Sequence, residues 1–250
     1  MTVIMIPYHL DEHLPDLDVP VAADRTVAVE SREGDAWSRM ALLYEAVAAT
    51  VAETVRDGGK PVVVSGDCTT SLGTVAGLQR AGIDPAIVWF DAHGDVQTLE
   101  TTTSGYLGGI PLRILVGYRP ELIATRLGLR AAAEERVLLV DARDLDPPEV
   151  EYLDRAAIRR SGVEDLSADR LPSGPLYLHL DADVVRADEL DGLRFPAAGG
   201  PGLPAVVEAL RRVIGSGRVV AFGVACTWHP GHGAAERIAR PIETLVADWE

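Results

Sequence analysis

Six short apolar runs recur along this chain, at Val3–Ile6, Val62–Val64, Ile87–Phe90, Val137–Val140, Leu176–Leu180 and Val219–Val224. They are rich in β-branched residues and often apolar at successive positions, so both faces of each run need cover. That is the pattern of buried parallel strands, not of strands with one wet face. Helix candidates lie between them, at about 35–57, 71–81, 121–133, 147–159, 203–215 and 233–247. In the first of these Trp37, Met40, Ala41, Tyr44, Val47, Ala48 and Val51 form a single stripe at helical spacing. Alternating strands and helices predict an α/β fold, a doubly wound parallel sheet with helices on both faces. Gly/Pro-rich stretches at 104–111 and 191–204 read as loops over the strand ends. No Pro/Gly/Ser-rich linker and no internal repeat interrupts the pattern, so residues 1–250 read as one domain, long enough for a large core.

Two of the runs end in ligand-type residues. Ile87–Phe90 is followed by Asp91-Ala92-His93-Gly94-Asp95, and Leu176–Leu180 by Asp181-Ala182-Asp183. Alternate residues of an extended segment share a face, so Asp91, His93 and Asp95 can converge on one point, as can Asp181 and Asp183. Carboxylates with one imidazole suit a divalent metal such as Mn²⁺, Fe²⁺ or Zn²⁺. Five such side chains exceed what one ion needs, which predicts a two-metal site beyond the carboxyl ends of the strands.

Charge and composition narrow the partners. A formal net charge of −15 argues against nucleic acid or an anionic membrane as partner. No apolar run approaches the ~18 residues of a membrane span, and the start lacks a basic region before Asp11 and Glu12. Two cysteines, Cys68 and Cys226, are too few for a disulfide framework. The expectation is a cytoplasmic protein acting on a small molecule.

A third run ends in Ser65-Gly66-Asp67-Cys68. With Gly66-Asp67-Cys68, Asp91–Asp95 and Asp181–Asp183 in this order, the sequence resembles the ureohydrolase (arginase/agmatinase) family, whose segments are Gly-Asp-His-Ser, Asp-Ala-His-x-Asp and Asp-x-Asp. The resemblance implies a three-layer αβα sandwich with a mostly parallel sheet. It also implies two Mn²⁺ ions and hydrolysis at a guanidinium or amidine carbon. Asp91 and Asp181 would bridge the ions, Cys68 and Asp95 would complete one, and His93 and Asp183 the other. Asp95 would carry the proton to the leaving nitrogen. Gln97 and Ser104 fall where arginases hold an amino acid's α-carboxylate. Arg143-Asp144-Leu145-Asp146-Pro147-Pro148-Glu149 is similar to the arginase segment facing the α-amino group, which gives Asp146 and Glu149 that role. The implied substrate is a free α-amino acid, and the family often forms homo-oligomers.

Four departures bear on the substrate. A metal-ligand histidine of the family is replaced by Cys68, its loop shuttle histidine by Gly108, and its late guanidinium-binding acid by Thr227. The third Asp of its Asp-x-Asp-x-x-Asp is Arg186. A protonated guanidinium in a dry site needs a carboxylate partner, whereas an N-hydroxyguanidine is far less basic and can enter neutral. Within the family the chain therefore resembles most the branch that cleaves Nω-hydroxy-L-arginine to L-ornithine and hydroxyurea in D-cycloserine biosynthesis. Other readings remain open: an ordinary arginase or another ureohydrolase, or a non-catalytic metal- or amino-acid-binding relative. If Cys68 is only a small buried apolar residue, Asp91, His93 and Asp181 could hold a single zinc ion. Asp146 and Glu149 could also cap a helix at Pro147, and Ser104 could merely shape a turn. His9, His13, His179, His229 and His232 read as structural or surface residues by default, with His13 and His229 as candidates for the missing shuttle.

Overall fold

The structure, a computed structural model, describes residues 1–30 and 33–249. In chain order the elements are β1 (Thr2–Ile6), β2 (Tyr8–His9), β3 (Glu12–His13), β4 (Arg25–Thr26), α1 (Ala36–Arg56), β5 (Pro61–Ser65), α2 (Ser71–Arg80), β6 (Ala86–Asp91), α3 (Pro111–Leu115), α4 (Ala124–Leu127), β7 (Val137–Asp141), α5 (Pro147–Leu153), β8 (Arg159–Ser161), β9 (Leu176–Asp181), α6 (Leu203–Ile214), β10 (Val219–Ala225) and α7 (Ala234–Asp248). Eight strands form one sheet in the order β4-β1-β5-β10-β9-β6-β7-β8, and every pairing in it is parallel. β2 and β3 make a separate antiparallel hairpin.

Side-chain alternation divides the interior in two. Ala86, Val88 and Phe90 of β6 face the layer carrying α6 and α7, while Ile87 and Trp89 face the layer carrying α1, α2 and α3. The result is the three-layer αβα sandwich expected. The α1–α2 contact is tight because α2 presents Gly73 and Gly77. A Cβ at Gly77 would stand 2.7 Å from the Ala48 carbonyl oxygen, so only glycine admits this approach.

The order of strands explains where a cleft can form. After β6 the chain moves outward to β7 and β8, then returns to lay β9 and β10 between β5 and β6. Beyond the carboxyl ends at this reversal, open sheets leave a crevice. The three runs singled out for their ligand residues are β5, β6 and β9, and their ends meet there.

Two expected helices are shorter than their patterns. The 121–133 candidate forms helix only over Ala124–Leu127, because Gly128 turns left-handed (φ 63°) and the Arg130 N–H leaves to bond Gln79. The 147–159 candidate stops at Leu153, and Arg159–Ser161 instead becomes β8 on the sheet edge. Glu134 holds the intervening turn by accepting the Ala157 N–H at 2.9 Å. The short edge strands β4 and β8 carry polar residues, all but Ser161 exposed, as edges commonly do, so no apolar run announces them. Among the described residues no helix is long and apolar enough to cross a membrane.

Candidate metal and substrate site

A cavity of about 380 Å³ opens above the ends of β5, β6 and β9. Its wall includes Cys68, His93, Asp95, Asp181 and Asp183 at the floor, and Gln97, Ser104, Asp146, Glu149 and Thr227 around them. Asp91 lies just beneath. All eleven residues singled out from sequence are thus brought to one place.

Local backbone demands put the floor residues there. Gly66 passes so close to β2 that a Cβ would collide with the Tyr8 carbonyl oxygen, and the next residues turn upward. Asp67 is spent on that turn, accepting from Thr69 N and Leu10 N, which leaves Cys68 to face the cavity. Asp91 ends β6 and accepts the His93 N–H at 2.7 Å. Asp95 adopts a left-handed conformation (φ 54°), unusual for a non-glycine residue. Asp181 accepts the Asp183 N–H at 2.9 Å, and Asp183 accepts the Ala92 N–H at 3.2 Å, stitching the β9 end to the β6 end. Arg143 braces the same corner by donating to the carbonyls of Asp183 and Val184.

The floor is electrostatically crowded. Asp91, Asp95, Asp181 and Asp183 are each at most 5% exposed. Burial and the neighbouring carboxylates push Asp95 and Asp181 well above the usual carboxylate range and Asp183 to about 6. Burial acts the same way on Asp91, but His93 beside it more than offsets this and holds it low. His93 Nδ1 stands 3.1 Å from Asp183 and 3.5 Å from Asp91. Burial disfavours its charged form, yet these two partners prevail and raise it to about 12. The second oxygen of Asp95 is buried with no hydrogen-bond partner.

Four buried carboxylates, one with an orphaned oxygen, call for positive charge that, among the described residues, no Lys or Arg side chain on the cavity wall supplies. The donor set fits divalent cations. Among the described residues two groups of donor atoms lie close enough to hold an ion: Asp91, His93 and Asp183, and Cys68, Asp91 and His179. The second group contains a histidine not singled out from sequence.

The upper wall is differently built. Gln97 donates to Asp146 at 2.8 Å and accepts from Thr101 at 2.7 Å. Glu149 takes the Asp146 N–H at 3.1 Å and the Val96 N–H at 3.3 Å, so its carboxylate caps α5 while still facing the cavity. Ser104 is exposed at the rim and accepts the Tyr106 N–H at 3.2 Å. Thr227 is buried and donates to Asp181 at 2.5 Å.

The family model for the arginase family matches residues 4–234. The chain belongs to the arginase family. It is similar to arginase from Bacillus subtilis, with 29% identity over 213 residues, covering 77% of this chain and 71% of that protein. It is equally similar to the Nω-hydroxy-L-arginine amidinohydrolase of Streptomyces lavendulae, at 29% over 207 residues, covering 81% and 73%. The arginase structure from Bacillus caldovelox shares the fold with a TM-score of 0.83 at 21% identity, covering 100% of this chain and 98% of that one. The chain is accordingly a hydrolase of the kind that acts on guanidino or amidino groups.

Sequence reasoning missed Tyr106, His9 and His179. The Tyr106 ring occupies the space a side chain at Gly108 would need, and a Cβ at that glycine would overlap the ring. Its hydroxyl lies 3.1 Å from His9 Nε2, and it packs on Phe195 at 4.6 Å between ring centroids. His13 and His229, the shuttle candidates, are exposed and do not line the cavity. A tyrosine two residues before a glycine at the shuttle position was the available signal for Tyr106; His9 had none.

Proposed function

We propose that this protein hydrolyses the hydroxyguanidino group of a free α-amino acid, with Nω-hydroxy-L-arginine giving L-ornithine and hydroxyurea, in the cytoplasm. The observation that carries the reading is Thr227. The carboxylates of the cavity wall all have other tasks than pairing with a permanent guanidinium: the floor acids belong to the cation cluster, Asp146 takes the Gln97 amide at the amino-acid end, Glu149 is engaged by backbone N–H groups, and Thr227 presents a hydroxyl. A neutral hydroxyguanidine needs no such partner, and a charged guanidinium does.

Cys68, Asp91, His93, Asp95, Asp181 and Asp183 would hold two divalent cations, Mn²⁺ in the family's usual form. Bound there, such ions supply Lewis acidity and lower the pKa of water for attack on the central carbon. Gln97, Ser104 and Asp146 at the upper wall would orient the α-carboxylate and α-ammonium, with Glu149 reinforcing Asp146. Asp95 has the unpartnered buried oxygen required of a proton carrier to the departing amine. The Tyr106 hydroxyl, hydrogen-bonded to His9, fills the place of the absent loop histidine and can relay that proton outward.

The test is a side-by-side assay of metal-loaded protein on L-arginine and Nω-hydroxy-L-arginine. The expected result is a higher kcat/KM on the hydroxylated substrate, with hydroxyurea as product. A higher kcat/KM on arginine would reject the substrate assignment and leave the family membership untouched.

A further inference from the structure

His179 precedes Asp181 by two residues on β9 and so points to the same side of the sheet, one step deeper. Its ring is fixed on every side. It stacks on Trp89 with centroids 3.7 Å apart, and its Nδ1 lies 3.0 Å from the Ser71 hydroxyl, which in turn contacts Tyr177 OH at 2.8 Å. With Nδ1 engaged by hydroxyl groups, Nε2 is left to face Cys68 Sγ at 3.3 Å.

Three donor atoms crowd together at Cys68. Its sulfur lies 2.8 Å from Asp181 Oδ2 as well as 3.3 Å from His179 Nε2. Without an ion these contacts are hydrogen bonds, the thiol donating to the carboxylate and accepting from the imidazole N–H. A divalent cation can replace those protons and accept from all three groups. The spacing suits it: metal–sulfur and metal–nitrogen bonds of about 2.3 and 2.0–2.1 Å at a tetrahedral angle place the two donors about 3.5 Å apart. Donor atoms of Cys68, His179 and Asp91 all lie within 4.8 Å of one another. Trp89 Nε1 donates to Asp91 Oδ2 at 3.0 Å, the kind of outer bond that orients a ligand carboxylate.

We infer that His179 is a metal ligand, and that Cys68, His179, Asp91 and Asp181 make one pole of the cavity floor a sulfur–nitrogen–oxygen site that selects Zn²⁺ or Fe²⁺ over Mn²⁺. Cys68 stands where the family has an imidazole, and His179 returns an imidazole to the same ion from below. Thiolate with imidazole is a softer set than the carboxylates and imidazole at the His93 pole, and it favours zinc or iron(II). The two poles then carry different metals. This rests on the two-cation reading above only in requiring an ion at the Cys68 pole.

The experiment loads metal-stripped full-length protein with Co²⁺, and separately with one equivalent of Zn²⁺. Two Co²⁺ ions should bind per chain, with a near-ultraviolet thiolate charge-transfer band that Cys68→Ser abolishes. His179→Gln should weaken one of the two ions by more than the 10–100-fold typical of outer-shell partners. X-ray absorption on the one-equivalent Zn²⁺ form of the unaltered protein should show one sulfur and one imidazole on the same ion, a readout that needs no variant to fold. Two bound Co²⁺ ions with no thiolate band, or a sulfur-ligated zinc without imidazole, would overturn the inference while sparing the two-cation reading. Failure to bind any Co²⁺ would overturn both.

Discussion

Two histidines, His93 lining the cavity floor and His179 buried beneath it, are driven in opposite directions. His93 lies between Asp183 and Asp91, and despite its burial these carboxylates raise it to about 12. His179 is wholly enclosed by Trp89, Tyr177, Ser71 and Cys68, and burial drops it to about 3. The residue type is the same and the sheet edge is the same. What differs is whether charge or apolar bulk is nearest. The His93 pole is partly open, with 29% of its side chain exposed, and rich in oxygen donors; the His179 pole is deeper and contains sulfur. An imidazole placed among anions holds a proton until a cation displaces it, whereas one placed among rings is already the neutral ligand form.

The most severe way to break this comparison is to remove what the poles share. Asp181 contacts Cys68 and Thr227 with its oxygens and also anchors Asp183. Asp181→Asn keeps the shape but removes the charge, so turnover should fall by about 10³-fold or more, an effect of roughly 4 kcal/mol on the barrier. Measured kcat with the folded state checked by circular dichroism decides it. A loss under about tenfold would show that Asp181 serves only the loop.

The next test uses pH and a chelator. In the metal-free protein Asp183 titrates at about 6 against the usual 3.8, and Asp95 and Asp181 are raised further. An acid whose folded pKa is raised contributes stability that is complete below the unfolded pKa and is lost as pH rises through the folded one. His93, raised from 6.5 to about 12, adds stability below 6.5 that is likewise lost as pH climbs. Asp91, held low, acts in the opposite sense, but only below about its unfolded value of 3.8. From about pH 5 to 8 the Tm of chelator-treated protein should therefore fall with rising pH. The metal-loaded protein should not follow it, because cations replace the protons at the cluster. Parallel melting curves with and without metal would mean that the cluster is not where the metal acts.

The two poles also differ in how much of each the sequence disclosed. Asp91, His93 and Asp95 stand at alternate positions immediately after an apolar strand, so periodicity alone aims them together. His179 stands inside the run Leu176–Leu180, where a single polar residue among apolar ones reads as strand filler. Its partner Cys68 is 111 residues away, a pairing that only the strand order β5-β10-β9 creates. Tyr106 and His9 meet across 97 residues for the same reason. The six central strands were legible because each is covered on both faces. β4 and β8 were not, because edge strands are short and polar. Helix limits at Gly128 and Leu153 were set by tertiary hydrogen bonds that backbone N–H groups donate to Gln79 and Glu134, which periodicity does not contain. Glu149 was legible under both of its readings, and the structure combines them: it caps α5 and faces the cavity.

The smallest effect is expected at the upper wall, away from either pole. Gln97 touches none of the floor carboxylates; it bridges Asp146 and Thr101 and presents the rest of its amide to the cavity. If its task is to hold a substrate carboxylate, Gln97→Ala removes binding made equally in the ground and transition states. KM should then rise about tenfold, the 1.4 kcal/mol of one hydrogen bond, with kcat nearly unchanged. Metal content should stay at the unaltered value, which separates this variant from those at the floor. The same change should matter much less for a guanidino substrate lacking the α-carboxylate, such as agmatine, because the lost contact is one that substrate never makes. An equal rise in KM for both substrates would mean that Gln97 only supports the loop, and that the amino-acid end of the substrate is read elsewhere.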